Sequence, residues 1–317
     1  MSGHKTNSSG RHENRIPYGA PGHPYPKGCP HDPRAAAAFE RNHSAGGGRR
    51  SSGFAEARPK APGSVRGGAV PEERRPRHVS RSEVQFIYED NDLIALVKPE
   101  GLPVIAPEGS RALSLYDVVT DEIRRTNPRG RAAVVHRLDR ESSGVLVFAK
   151  NAETKRRLME KWAELAEDRR YAALVEGELE NESGQFKSWL AASGENRVRV
   201  VQEGARGAHE ALTDYRVLGR GGGFSLVELS LETGRKHQIR AQLAAAGHPI
   251  AGDFRYGAKS DPLGRLGLHA TLLVLRHPRT GEELRFESPA PQSFRLALSA
   301  KPSRQSGGAG SHSGRKG

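Results

Sequence analysis

The chain carries one cysteine, Cys29, in 317 residues. That excludes an internal disulfide framework and a cysteine-ligated zinc site, and it fits a reducing compartment. No apolar run is long enough to span a membrane, and the N-terminus lacks the apolar core of a signal peptide. A cytoplasmic protein with no membrane contact is therefore expected. There is no Gly-rich phosphate loop and no spaced set of metal ligands, so no metal and no cofactor is expected. Hydrophobic residues make up only 35% of the chain, which is low for a wholly folded protein and points to unfolded segments. What the chain has in excess is positive charge: 50 Lys and Arg against 37 Asp and Glu, a net of +13. Such a balance suits a polyanion, most simply a nucleic acid. The plainer alternative is a soluble protein with basic tails.

The length allows one large domain or two small ones. Residues 1–82 are rich in Gly, Ser, Pro, Arg and His without a sustained apolar period, and are expected to form a disordered basic tail. The clusters Arg49-Arg50 and Arg74-Arg75-Pro76-Arg77 would add nonspecific phosphate affinity or merely solubility. Cys29 and His31 are too isolated for a metal site. Residues 83–300 read as the folded domain, and 301–317 as a second disordered tail.

Order is expected from Val84. Residues 84–89 and 93–97 alternate as a hairpin with its turn at Asp90-Asn91-Asp92. Lys98-Pro99-Glu100-Gly101 ends the second strand in a fixed loop. Leu115, Val118, Val119 and Ile123 fall at helical spacing between Ala112 and Thr126. Asn151 can cap a helix running to about Asp168, with Leu158, Trp162 and Leu165 as its buried stripe. Residues 169–177, 211–218 and 224–232 read as strands, and 181–208 as an exposed hairpin or insertion with one strand at 198–201. Thr233-Gly234 opens a helix that Gly247 closes, with Ile239 and Leu243 facing the core. Two strands, a Thr280-Gly281 turn and a helix near 291–299 complete the domain.

The densest polar knot is His136-Arg137-Leu138-Asp139-Arg140-Glu141-Ser142-Ser143-Gly144, set between two short apolar runs. One carboxylate, Asp139, lies among three cationic or titratable neighbours. Contact with a cation lowers the pKa of an Asp, which makes a nucleophile or an electrostatic stabiliser and a poor proton donor. From these residues alone, a structural salt bridge at a turn is an equal reading. Tyr171 in its strand is either packing or an aromatic face. Arg235, Lys236 and Arg240 are either a solvated face or a partner for an acid. His269 reads as a satisfied structural histidine.

Four stretches together resolve this. His136-Arg137-Leu138-Asp139 followed by Ser142-Ser143-Gly144 resembles the signature loop of the RluA-type RNA pseudouridine synthases, with Ser142 where the family usually has Thr. Arg169-Arg170-Tyr171 resembles the family's second motif. Thr233-Gly234-Arg235-Lys236-His237-Gln238-Ile239-Arg240 closely resembles its third, and Lys98-Pro99-Glu100-Gly101 its Lys-Pro-x-Gly turn. The resemblance covers residues 84–299. It implies the α+β pseudouridine synthase fold, a central mixed, mostly antiparallel sheet flanked by helices.

The resemblance also implies an isomerase acting on uridine in structured RNA, ribosomal or transfer RNA. Asp139 is then the nucleophile and Arg240 its partner. Tyr171 and Ile239 form the platform for the base, where stacking on an extruded base is worth roughly 1–3 kcal/mol. Arg137 fills the gap the flipped nucleotide leaves. His136, Lys98 and Arg235 complete the substrate-binding set, the last with Lys236 at the first turn of the helix, where a phosphate is accommodated. At an effective dielectric near 20, an ion pair about 4 Å apart gains roughly 4 kcal/mol before desolvation, ample to orient Asp139. The reaction needs no net redox change. Some relatives carry a small RNA-binding domain ahead of the catalytic one, and its apparent lack in 1–82 points to a small structured substrate. A monomer is expected. The rival reading is a noncatalytic RNA-binding or RNA-chaperone protein on the same fold, with RNA affinity indifferent to Asp139.

Overall fold

The structure is a computed structural model that describes residues 77–194 and 196–299. The tail expected over 1–82 lies outside the described residues except for its last six, as do Cys29, His31 and the tail over 301–317. Packing begins a little before Val84. Val79 is buried in the core, and Arg81–Glu83 form a 3-10 turn capped by Ser80.

Eleven described strands form one sheet. They are β1 (Gln85–Glu89), β2 (Leu93–Lys98), β3 (Ala133–Val134), β4 (Ser143–Ala149), β5 (Ala166–Glu176), β6 (Ser183–Ala192), β7 (Val198–Val201), β8 (His209–Gly221), β9 (Phe224–Leu231), β10 (Leu268–Arg276) and β11 (Glu283–Glu287). The order is β1-β2-β4-β10-β5-β9-β8-β6-β7, with β3 on β4 and β11 on β10. β4 and β10 run parallel and the other pairs antiparallel, so the mixed, mostly antiparallel sheet is as expected.

The central strands are covered on both faces, and strand periodicity sorts their side chains. From β2 and β4, Ile94, Leu96, Leu146 and Phe148 join one core with Leu138 and the helix α1 (Leu115–Arg124). Leu93, Ala95, Val145 and Val147 join the opposite core with Leu158 of α2 (Ala152–Glu160) and Trp162 of α3 (Trp162–Leu165). Each fully buried side chain of this size contributes roughly 1.5–3 kcal/mol. A capping box between Ser114 and Asp117 starts α1, three residues later than Ala112. At the far end, Tyr88 donates to Asp90, Arg279 to Asp92, and His277 Nε2 lies 3.0 Å from Asp90 Oδ2. This clasp ties the β1–β2 turn to the β10–β11 turn.

Three expectations shift. The Asn151-capped helix stops at Glu160, because Lys161 leaves the helical region at φ −123°, and β5 starts at Ala166. Residues 166–170 pair with β10, where Asp168 faces Val274 and Arg169 faces Leu273. Sheet pairing there overrides a helix-like charge pattern. Residues 181–208 form the expected hairpin, with its strand at Val198–Val201, and belong to the sheet rather than being an insertion. β6 and β7 extend the sheet from β8, and Phe186 stacks on Tyr215 with ring centroids 4.7 Å apart. The helix expected from Thr233, α4 (Gln238–Ala245), begins at Gln238, because His237 takes a left-handed backbone with φ 50°. The closing helix α5 (Gln292–Ser299) lies where expected.

Candidate active site

The loop from β3 to β4 carries Asp139, and three devices hold it. Leu138 is buried in the core. Lys98 Nζ, wholly buried, donates to the carbonyls of Pro99, Leu102 and Arg140 at 2.8–3.0 Å. Gly101 and Arg140 exchange bonds, Gly101 N–H to the Arg140 carbonyl and Arg140 Nε to the Gly101 carbonyl. Gly144 then lets β4 meet β10. It has φ 116°, and a Cβ there would run into the Ala270 backbone. Arg265 donates to Ser143 Oγ at 2.7 Å, and His269 Nε2 faces the Ser288 carbonyl at 3.2 Å and carries the ring proton, so Nδ1 accepts from the Ser143 hydroxyl at 2.7 Å. His269 is a structural histidine, as expected, and burial pushes its pKa down to about 4.

The partner arrives from α4, a hundred residues later. Arg240 Nη1 donates to Asp139 Oδ2 at 2.9 Å. Its Nε and Nη2 donate to the two oxygens of Asp253 at 2.7 and 2.8 Å. The Arg240 side chain is 4% exposed and Asp253 1%, while Asp139 is 25% exposed. Burial opposes the charge of Arg240, but the two carboxylates outweigh it and hold its pKa above the ordinary value. Glu141 lies 3.8 Å from the same guanidinium nitrogen, and His237 Nε2 lies 3.6 Å from Asp139 Oδ1. Gln238 and Gln242, four apart on α4, pin the helix: Gln238 Nε2 donates to the Leu212 carbonyl and Thr213 Oγ1, and Gln242 Nε2 to the carbonyls of Phe186 and Ala211.

Tyr171 lies on β5 beside Ala270, packs against two of the cores and is close enough to feel the charge of Asp139. Burial raises its phenol pKa, Asp139 adds to that and Arg169 opposes it. Ile239 is buried behind the site with Leu229 and Leu268. Arg137 is exposed at the rim, near Lys236.

Asp139, Arg240, Tyr171 and Ile239 thus converge, with Arg137 at the rim. Three substrate-binding expectations do not fit the geometry. His136 faces the other side of the sheet. Its ring stacks on Trp162 with centroids 4.6 Å apart, and its Nε2 accepts the Val147 N–H. Burial, with Arg169 adding to it, pushes its pKa down to about 3. Lys98 has no exposed surface, so it shapes the Asp139 loop instead of meeting a ligand. Arg235 donates through Nε to the Glu210 carbonyl and lies before α4, not on the helix's first turn. His237 stands within the third motif, and Asp253 lies beyond its end. Tyr256 lay outside it.

The arrangement is a buried guanidinium clamped between two carboxylates, one sealed and one opening beside an aromatic ring. The description "RNA pseudouridylate synthase" belongs to a family whose model matches residues 92–245. An uncharacterized RNA pseudouridine synthase of Chlorobaculum parvum is 36% identical over 68% of this chain and 73% of its own length. Ribosomal large subunit pseudouridine synthase C of Escherichia coli is 38% identical over 67% of this chain and 68% of its own. The solved structure of human RNA pseudouridylate synthase domain containing 4 superposes with a TM-score of 0.56 at 25% identity, covering 68% of this chain and 92% of that one. By sequence and by fold, the chain belongs to the RluA-type RNA pseudouridine synthases, isomerases that convert uridine in RNA to pseudouridine.

Proposed function

We propose that Asp139 is the nucleophile of this isomerisation, acting on a uridine flipped out of its stack. One observation carries the reading: Arg240 bonds the partly open Asp139 and the sealed Asp253 at once. An acid so clamped has a fixed direction and one open side, which is what attack on a sugar carbon needs. An Asp139 oxygen attacks C1′ as the C1′–N1 bond breaks, and the electron pair leaves with the uracil. The base turns, its C5 attacks C1′, and Asp139 departs. The C5 proton is lost and N1 gains one, so the atoms balance as an isomerisation. Tyr171, whose phenol burial keeps protonated near neutral pH, faces the base from one side, with Ile239 packed behind. Arg137 at the rim enters the gap in the RNA.

The name of the Escherichia coli relative favours large-subunit ribosomal RNA as the substrate. We place the enzyme in the cytoplasm as a monomer; no described helix is long and apolar enough to cross a membrane. The test is tritium release from C5-labelled uridine RNA with purified Asp139→Asn protein. Release at the wild-type rate defeats the assignment. Mapping pseudouridine at nucleotide resolution in a deletion strain identifies the target, and a lost site outside large-subunit ribosomal RNA overturns the substrate.

A further inference from the structure

His237 sits at the head of α4 with a left-handed backbone, φ 50°, an arrangement that costs a non-glycine residue of order 1–3 kcal/mol. The strain aims a ring that is only 7% exposed into the site. Nε2 lies 3.6 Å from Asp139 Oδ1, the oxygen that Arg240 leaves free. On the other side, Nδ1 lies 2.8 Å from Tyr256 Oη, and the two rings meet edge to face. The same Oη accepts the N–H of Val198, on β7, at 3.1 Å.

Proton counting fixes the tautomer. A neutral phenol has one proton to donate. Among the described residues, its hydrogen-bond partners are the Val198 N–H, which takes a lone pair, and His237 Nδ1. Among the described residues, Nδ1 is the one acceptor that the Tyr256 proton reaches, so it goes there, and a neutral imidazole then carries its own proton on Nε2, the nitrogen that faces Asp139. Neutrality has a cause too. Burial pushes the His237 pKa down, Arg240, Lys236 and Arg255 add to this, and Asp139 alone opposes it. Tyr256, whose phenol burial raises, is the remaining titratable group against the ring.

We infer that His237 is a positioning residue for Asp139, its Nε2–H donating to Oδ1 while Arg240 holds Oδ2, and that Tyr256 sets the tautomer that makes this donation available. The inference rests on Asp139 as the reactive carboxylate. The 3.6 Å gap is longer than a hydrogen bond and closes when RNA excludes water from the site. Two donors on two oxygens fix the plane of the carboxylate, where one donor leaves it free to rotate.

The test begins with long-range nitrogen–proton NMR on the ¹⁵N-histidine-labelled full chain, with His237→Gln assigning the ring. The expected spectrum at neutral pH shows a bare Nδ1 and a protonated Nε2. In Tyr256→Phe the tautomers mix and the ring's pKa rises. His237→Leu lowers the single-turnover rate about tenfold, the loss of one hydrogen bond of roughly 1.4 kcal/mol in the transition state, with RNA affinity unchanged. His237→Gln, which places an amide N–H near the position of Nε2, recovers most of that loss. A wild-type ring protonated on Nδ1, or folded His237→Leu turning over at the wild-type rate, overturns the inference. If His237→Leu does not fold, the wild-type spectrum decides by itself. Full activity of Asp139→Asn defeats the functional reading, whereas a wrong tautomer with inert Asp139→Asn defeats this inference alone.

Discussion

Arg240 and Asp253 form a two-pronged ion pair, 2.7 and 2.8 Å long, with almost no surface exposed on either side chain. The third prong, Arg240 Nη1, is thereby aimed at Asp139. A guanidinium is planar, so fixing two of its nitrogens fixes the direction of the third.

Asp253→Asn tests this. The amide cannot accept on both atoms, and the buried Arg240 charge is left with only the partly exposed Asp139 as its close carboxylate partner. Removing one partner of a buried pair costs roughly 3–5 kcal/mol. Denaturant unfolding is expected to show that loss, and single-turnover rate to fall about 10²-fold from a misplaced Asp139 although Asp253 touches no substrate. Wild-type rate in a folded variant would show that Asp139 needs no such support.

Lys98 tests the loop from the other side. Burial pushes its pKa down to about 7, Arg265 adding to this and Asp139 and Glu141 opposing it. Its folded-state pKa is thus below the unfolded value of about 10.4, so in that window the unfolded chain binds the extra proton and stability rises with pH. Unfolding free energies measured from pH 7 to 10 are expected to rise in the wild type relative to Lys98→Met. The variant leaves the Pro99 and Leu102 carbonyls without their donor and the Arg140 carbonyl with Gly101 N–H alone, and is expected to be less stable at pH 7 by about 2 kcal/mol or more. A parallel pH dependence of the two proteins would place the lysine's pKa near its ordinary value.

Gly144→Ala is expected to fail to fold or to lose more than about 4 kcal/mol, since its Cβ would meet the Ala270 backbone and φ 116° strains any side chain. Circular dichroism melting checks it. A shift in melting temperature of only a few degrees would mean that β4 and β10 can separate.

RNA affinity is expected to fall linearly with the logarithm of salt concentration, and Arg137→Ala to lower the slope by about 0.7–0.9 if that residue meets a phosphate. An unchanged slope with slower turnover assigns Arg137 to filling the vacated stack instead. Filter binding across a salt titration, run beside turnover, separates the two.

Short-range pattern determined much of this protein. The β1–β2 hairpin, α1 and its buried stripe, the Asp139 loop and the Ile239–Arg240 step each follow from residues within a few positions of one another. So did the nomination of Asp139 and Arg240 for the site, because both stand in motifs that are local. Tertiary structure decided what depends on distant partners. Residues 166–168 look helical until β10 offers them backbone bonds. His136 and Lys98 look like ligand contacts until one stacks on Trp162 and the other closes on three carbonyls. Asp253, His237 and Tyr256 acquire their meaning only through Arg240, Asp139 and Val198. A hydrogen bond is set by where its two ends lie in space, and a sequence states only where they lie along the chain.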